Sequence, residues 1–164
     1  MGSALFLVLA PGVVAFVVPW CISNWRIQAP LLGFPPARIV GIIVVVLGIA
    51  ILLDSFARFA LKGIGTPAPV APTRHLVVTG LYRFVRNPMY LAVTSVILGQ
   101  SMIFGNLTLL GYGGLVWLIT HLFVIGYEEP TLRRTFGAEY DAFSAKVPRW
   151  IPRLRPWSGP MEPP

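Results

Sequence analysis

Charge is what this sequence has least of. Of its 164 residues only 12% are charged, 55% are hydrophobic, and the mean hydropathy is +0.74. A soluble domain carries roughly 25% charged residues. With half that fraction the chain cannot clothe itself in polar surface, and lipid is the solvent that suits it. One cysteine, Cys21, excludes a disulfide framework and a thiolate metal site. No Lys or Arg precedes Arg26, so the apolar N-terminal stretch lacks the basic start of a cleaved signal peptide and is expected to be a retained span. No internal repeat and no βαβ pattern are present. Acidic residues are scarce as well: 6 against 13 Lys and Arg, a net charge of +7. That excess invites a nucleic-acid reading, but the cations flank apolar runs and follow a topological pattern, so no nucleic-acid partner is expected.

What is present is four apolar runs: Ala4 to Trp20, Ala37 to Phe59, Pro88 to Phe104 and Leu107 to Tyr127. Each is about one hydrocarbon thickness long as a helix, roughly 25 to 35 Å. Pro35-Pro36 opens the second, and Asn87-Pro88 opens the third as an N-cap and first helical position. Gly105-Asn106 makes a tight turn, so the third and fourth runs predict an antiparallel hairpin. Arg58, Lys62, Arg74, Arg83 and Arg86 crowd the second connection, and Arg133, Arg134, Lys146, Arg149, Arg153 and Arg155 follow the fourth run. The positive-inside rule places both groups, and both termini, in the cytoplasm, with a bacterial inner membrane the expected location. The expectation is an all-α integral membrane protein of about four transmembrane helices. Residues 1–62 form an N-terminal helix pair, 63–155 a catalytic region, and 156–164 a disordered tail. Prolines and glycines between Gly63 and Thr79 predict a loop. After Pro130, Leu132, Phe136, Tyr140 and Phe143 share one face of a predicted amphipathic helix along the membrane surface.

Three clusters carry candidate chemistry. In Gly80 to Tyr90 (GLYRFVRNPMY), Arg83 and Arg86 flank a helix start whose free N–H groups suit an anion. A basic juxtamembrane stretch with Tyr82 and Tyr90 in the interfacial aromatic belt fits the same residues. Glu128-Glu129 ends the fourth run, and adjacent helical positions point about 100° apart, so one of the two is expected to face inward. Such a carboxylate holds ribose hydroxyls or an ammonium group, or simply caps the next helix. His121, seven residues before Glu128, falls on nearly the same face of an ideal helix and is a candidate proton acceptor or interhelical hydrogen-bonding group. Asp54 and Arg58 are spaced to pair. Gly111 to Gly114 lies inside an apolar run and suits close helix packing. Gly63-Ile64-Gly65 sits in the loop, where a backbone can approach a ligand.

Taken in order, GxGTPAP, HLVVTGLYRFVRNPMY, an apolar hairpin, EEPTLRRTFGAEYDAF and VPRW resemble the isoprenylcysteine carboxyl methyltransferase family and its bacterial relatives, which also resemble the phospholipid N-methyltransferases. The resemblance runs from Gly63 to Trp150 and leaves the first two helices outside it. It implies a methyltransferase using S-adenosylmethionine, held at the cytoplasmic ends of the helices rather than in a Rossmann domain. Gly63, Gly65, Leu76, Val77, Gly80, Tyr82, Asn87, Pro88, Met89, Tyr90, Glu128 and Glu129 would then form the cofactor site, with Arg86 or His121 as catalytic helpers. Two positions depart from the family: Asn87 stands where many members have His, and Val124 stands where the prenylcysteine enzymes have an arginine facing the substrate carboxylate. The implied partner is a lipophilic acceptor entering from the bilayer. It would be methylated at a prenylcysteine-like carboxylate or another small group, or, in the neighbouring branch, at a phospholipid or other amine; a thiol acceptor is a further option. A non-enzymatic transporter or scaffold would instead align polar residues through the bilayer centre.

Overall fold

A computed structural model describes residues 10–61, 76 and 78–159. Gly63, Gly65 and Val77, with the loop around them, lie outside the described residues, as do 1–9 and 160–164. All regular secondary structure among the described residues is helical. The main elements are α1 (Ala10–Ser23), α2 (Ala37–Leu61), α3 (Pro88–Phe104), α4 (Leu107–Phe136) and α5 (Ala138–Lys146). Two of them, α2 and α4, are long and apolar enough to cross a membrane, and α1 and α3 are shorter apolar helices. Ile39, Ile42, Ile43, Val46, Leu47 and Leu53 of α2 stand exposed, as do Leu115, Leu118, Ile119 and Leu122 of α4. A helix apolar on all sides and not covered by protein needs a lipid solvent.

The central helix is α3, packed against α1, α2 and α4. Its seam with α2 is made of small residues. Gly41, Gly48 and Ser55 recur every seven positions on α2 and are all buried, a heptad spacing that keeps one stripe against the partner. A Cβ at Gly41 would fall 2.7 Å from the Gly99 carbonyl oxygen, and one at Gly99 would fall 2.8 Å from that of Gly41. The two backbones meet where side chains are missing.

Two prolines shape the other helices, each placed just after a π turn: Val13–Val17 precedes Pro19, and Val124–Glu128 precedes Pro130. Proline has no N–H for the carbonyl one turn back, and its ring crowds that carbonyl. The open carbonyls of α1 are used by its neighbours. Gln100 Nε2 donates to Ala15 O at 2.6 Å, and the Tyr112 hydroxyl donates to Val14 O at 3.0 Å. On α4 the π turn has a different consequence. The helix runs through Pro130 instead of restarting there, and the break comes at Gly137, at φ +50°. The expected single amphipathic helix is therefore split, but its apolar face survives. Leu132, Phe136, Tyr140 and Phe143 pack together with Leu76, Val78, Val147 and Trp157.

The two ends of the bundle are distinct. At one end the α1–α2 connection meets the α3–α4 turn, where Gln28 N donates to Phe104 O at 3.0 Å. Gly105 is obligatory there, at φ +68° with Ala29 O only 1.8 Å from where a Cβ would stand. At the other end the chain after α5 folds back on the segment before α3. Arg86 N donates to Pro148 O, Arg153 N to Phe84 O and Trp157 N to Arg83 O, at 2.9–3.0 Å. Pro156 to Gly159, expected to begin a disordered tail, is thus docked: the Arg83 Nε donates to Trp157 O at 2.7 Å, and the Trp157 ring packs on Phe143.

Candidate active site

The polar end gathers most of the sequence candidates. Gly80 opens a short 3₁₀ turn, Gly80–Arg83, at φ +57°. Its missing side chain admits the Arg58 guanidinium, whose Cζ lies 2.1 Å from an ideal Cβ. Arg58 in turn holds Asp54 through paired hydrogen bonds of 2.8 and 2.9 Å, as the i,i+4 spacing predicts. Two residues on, the Tyr82 hydroxyl lies beside Ser55 of α2. Burial pushes this phenol above its ordinary range, and the Glu128 and Asp54 carboxylates push the same way. Tyr82 therefore sits between α2 and the π turn of α4.

Neighbouring glutamates on α4 have opposite fates. The Glu128 Oε2 accepts a hydrogen bond from the Tyr90 hydroxyl at 3.0 Å, and among the described residues no cation pairs with it. Glu129 lies between two arginines. Arg149 reaches it through Nε and Nη2 at 2.5 and 2.9 Å, and Arg86 Nη1 stands 3.1 Å from Oε1. The carboxylate raises the pKa of the Arg149 guanidinium above its ordinary value, chiefly through these hydrogen bonds. Arg86 also donates to the Tyr140 hydroxyl at 3.2 Å. One glutamate is neutralised; the other is not.

Other candidates take different places. Asn87 holds the N-cap position, but its side chain does not cap the helix; Nδ2 donates instead to Arg149 O at 3.2 Å. Pro88 is buried at the start of α3, Met89 is half-buried beside it, and Leu76 packs into the cluster around Tyr140 and Phe143. His121 does not join Glu128. The π turn at Val124–Glu128 adds a residue to the helical register, so the two no longer share a face. Trp150 Nε1 donates to His121 Nδ1 at 2.9 Å, and Trp117 stacks on the imidazole with centroids 5.0 Å apart. In neutral His121 the proton is therefore carried on Nε2.

Sequence reasoning missed Arg149 and Tyr140 as members of this arrangement. The VPRW stretch is a signal for Arg149, because it places a cation and a tryptophan together after a helix. Nothing local to Tyr140 distinguishes its buried hydroxyl from an ordinary amphipathic position.

Comparison with known proteins is decisive at the level of family. The sequence model of a family described as phospholipid methyltransferase matches residues 36–139. This chain belongs to that family. No curated protein and no solved structure matches it. As a phospholipid methyltransferase family member the chain is likened over a different range from the one its motifs suggested. The match takes in all of α2, which the motifs left out, and stops within α5, before Val147 to Trp150. Glu128, Tyr90, Tyr82 and Gly80 all lie inside it.

Proposed function

We propose that this chain is an S-adenosylmethionine-dependent methyltransferase of four membrane spans, with the Glu128 end in the cytoplasm and a lipophilic acceptor arriving from the bilayer. The observation that carries the reading is the half-buried Glu128 carboxylate, hydrogen-bonded to one neutral phenol and paired with no cation among the described residues. An ionised carboxylate in such a place is costly until something polar or cationic meets it. The cofactor's ribose diol and its ammonium group are both suitable partners. Arg86 Nε and Thr79 Oγ1, on the stretch that also carries Tyr82, are buried without a partner among the described residues. The donor set thus fits a ligand carrying both charges.

When bound, S-adenosylmethionine supplies the methyl group as an electrophilic sulfonium. Tyr90 holds Glu128 in place through its hydroxyl. Tyr82, kept neutral by burial, offers a ring face that suits a sulfonium. Methyl transfer needs alignment more than acid–base chemistry, and alignment alone supplies up to about 7–11 kcal/mol. Within the Arg86–Glu129–Arg149 group the Glu129 carboxylate is satisfied and keeps the surrounding segments in register, while Arg86 Nε keeps a donor for the ligand. The Trp150 bond to His121 Nδ1 gives that imidazole a structural role, leaving only the Nε2 side for a ligand.

Family membership and Val124 together favour a lipid amine over a prenylcysteine carboxylate as acceptor. Val124 is 1% exposed, and it offers no charge to a substrate carboxylate. The transporter reading finds less support. Deeper polar groups, Gln100 and Tyr112, are engaged with α1 carbonyls.

Calorimetry of S-adenosylhomocysteine with the purified protein in lipid nanodiscs tests the reading. Micromolar binding is expected for wild type, weakened about 10- to 100-fold in Glu128→Gln, the worth of a charge-assisted hydrogen bond. Absence of binding by a folded wild-type sample would overturn the cofactor assignment, and equal binding by Glu128→Gln would remove Glu128 from the site.

A further inference from the structure

The strap after α5, Val147 to Trp157, presents two aliphatic side chains to the outside: Ile151 is 78% exposed and Leu154 99%. This is not slack chain. Its other face is pinned by backbone bonds at Pro148, Arg153 and Trp157, by the Asn87 bond to Arg149 O, and by Trp150 on His121. Val147 is fully buried. Side chains held outward on a fixed backbone form a built surface, and water is a poor solvent for these two.

Charge along the strap is of one sign. From Ser144 to Gly159 there are four basic residues, Lys146, Arg149, Arg153 and Arg155, and no acidic one. Arg149 is neutralised by Glu129. The side chains of Lys146 and Arg155 have no partner among the described residues, and Arg153 reaches only the Lys146 carbonyl. Three cations therefore flank two bare aliphatic groups. The strap also lies against a candidate span: Trp150, next to Ile151, packs against Trp117 and His121 of α4, one of the two helices long enough to cross a membrane.

We propose that this strap is an interfacial anchor for anionic lipid, with Ile151 and Leu154 dipping into the acyl boundary while Lys146, Arg153 and Arg155 meet lipid phosphates. The geometry matches what a membrane-surface element requires: apolar groups on one side, uncompensated cations beside them. The inference rests on the membrane-spanning reading but not on methyl transfer. Its consequence is that anionic lipid tightens the strap over Arg86, Asn87 and Glu129, the residues the strap already holds.

The test uses the full chain with Cys21→Ser and Leu154→Cys, a position exposed enough that labelling leaves folding unaffected. A fluorophore at residue 154 is followed in nanodiscs of zwitterionic lipid and in nanodiscs with one-third anionic lipid. Quenching by nitroxide-bearing lipids should be several-fold stronger in the anionic discs, with aqueous acrylamide quenching reduced to match. Adding Lys146→Gln and Arg155→Gln, which removes no side-chain hydrogen bond or ion pair among the described residues, should lower the lipid quenching; each neutralised charge is worth roughly five-fold in affinity for an anionic surface. Equal lipid quenching in both disc types would overturn the proposal, as would a label fully open to acrylamide in the anionic discs. Cofactor binding measured on the same sample keeps this outcome separate from the functional reading.

Discussion

The α2–α3 seam and the polar end of the bundle hold together by opposite means. In the seam, Gly41 and Gly99 let two backbones touch, and the contact repeats with the heptad stripe. At the polar end the bonds run between side chains and backbone groups far apart in sequence: Glu129 to Arg149, Asn87 to Arg149 O, Arg83 to Trp157 O. In lipid there is little hydrophobic force between helices, so close packing of small residues is the means available. At the polar end, ion pairs and hydrogen bonds position segments that no helix continues. One region is a spacer set by absent side chains, and the other is a clamp made by present ones.

Removing the clamp should have the largest effect. Glu129→Ala leaves Arg86 and Arg149 facing each other in a partly buried site, and each charge-assisted hydrogen bond lost costs about 1.5–3 kcal/mol. Thermal unfolding in detergent should show this loss, while Glu128→Ala, with no cation to orphan, should barely shift the transition. Similar stability losses in both variants would mean that the two glutamates are not divided as described. The seam comes next. Gly99→Leu inserts a side chain where Val45 and the Gly41 carbonyl already stand within 3 Å of a Cβ, and overpacking of this kind costs about 1–3 kcal/mol. Gly111→Leu, where nothing lies within 4 Å, is the matched control and should unfold as wild type does.

Smaller effects sharpen the contrast at the clamp's edges. Trp150→Phe deletes the bond to His121 Nδ1 and should cost about 0.5–1.5 kcal/mol, seen as faster proteolysis of the strap with the α2–α3 seam unchanged. The smallest effect is a pH dependence. Tyr82 has a folded-state pKa raised above the ordinary tyrosine value of about 10. A raised pKa means that its contribution to stability is complete below pH ~10 and declines as pH rises beyond it. Comparing wild type with Tyr82→Phe by thermal unfolding between neutral and strongly alkaline pH should show the wild type losing its advantage only in the alkaline range.

Much of this was readable from the chain. The bounds of α3, Pro88 to Phe104, follow from a proline at one end and a glycine at the other. The start of α2 after Pro35-Pro36, the Asp54–Arg58 pair and the apolar face of Leu132, Phe136, Tyr140 and Phe143 follow from local spacing. The errors share a cause. Pro130 signals a helix start, but the preceding π turn lets α4 pass through it, and the same turn separates His121 from Glu128. Asn87 signals a cap, but a carbonyl from 62 residues away takes its amide.

The sequence by itself determined the solvent, the helices and the family, because hydropathy, proline and glycine act within a turn or two of where they stand. Only tertiary structure decided which of two adjacent glutamates is bound by arginines and which is left with a phenol. Nothing within a few residues of Glu128 and Glu129 distinguishes them. Their difference comes from Tyr90, Arg86 and Arg149, which reach them from 20 to 43 residues away.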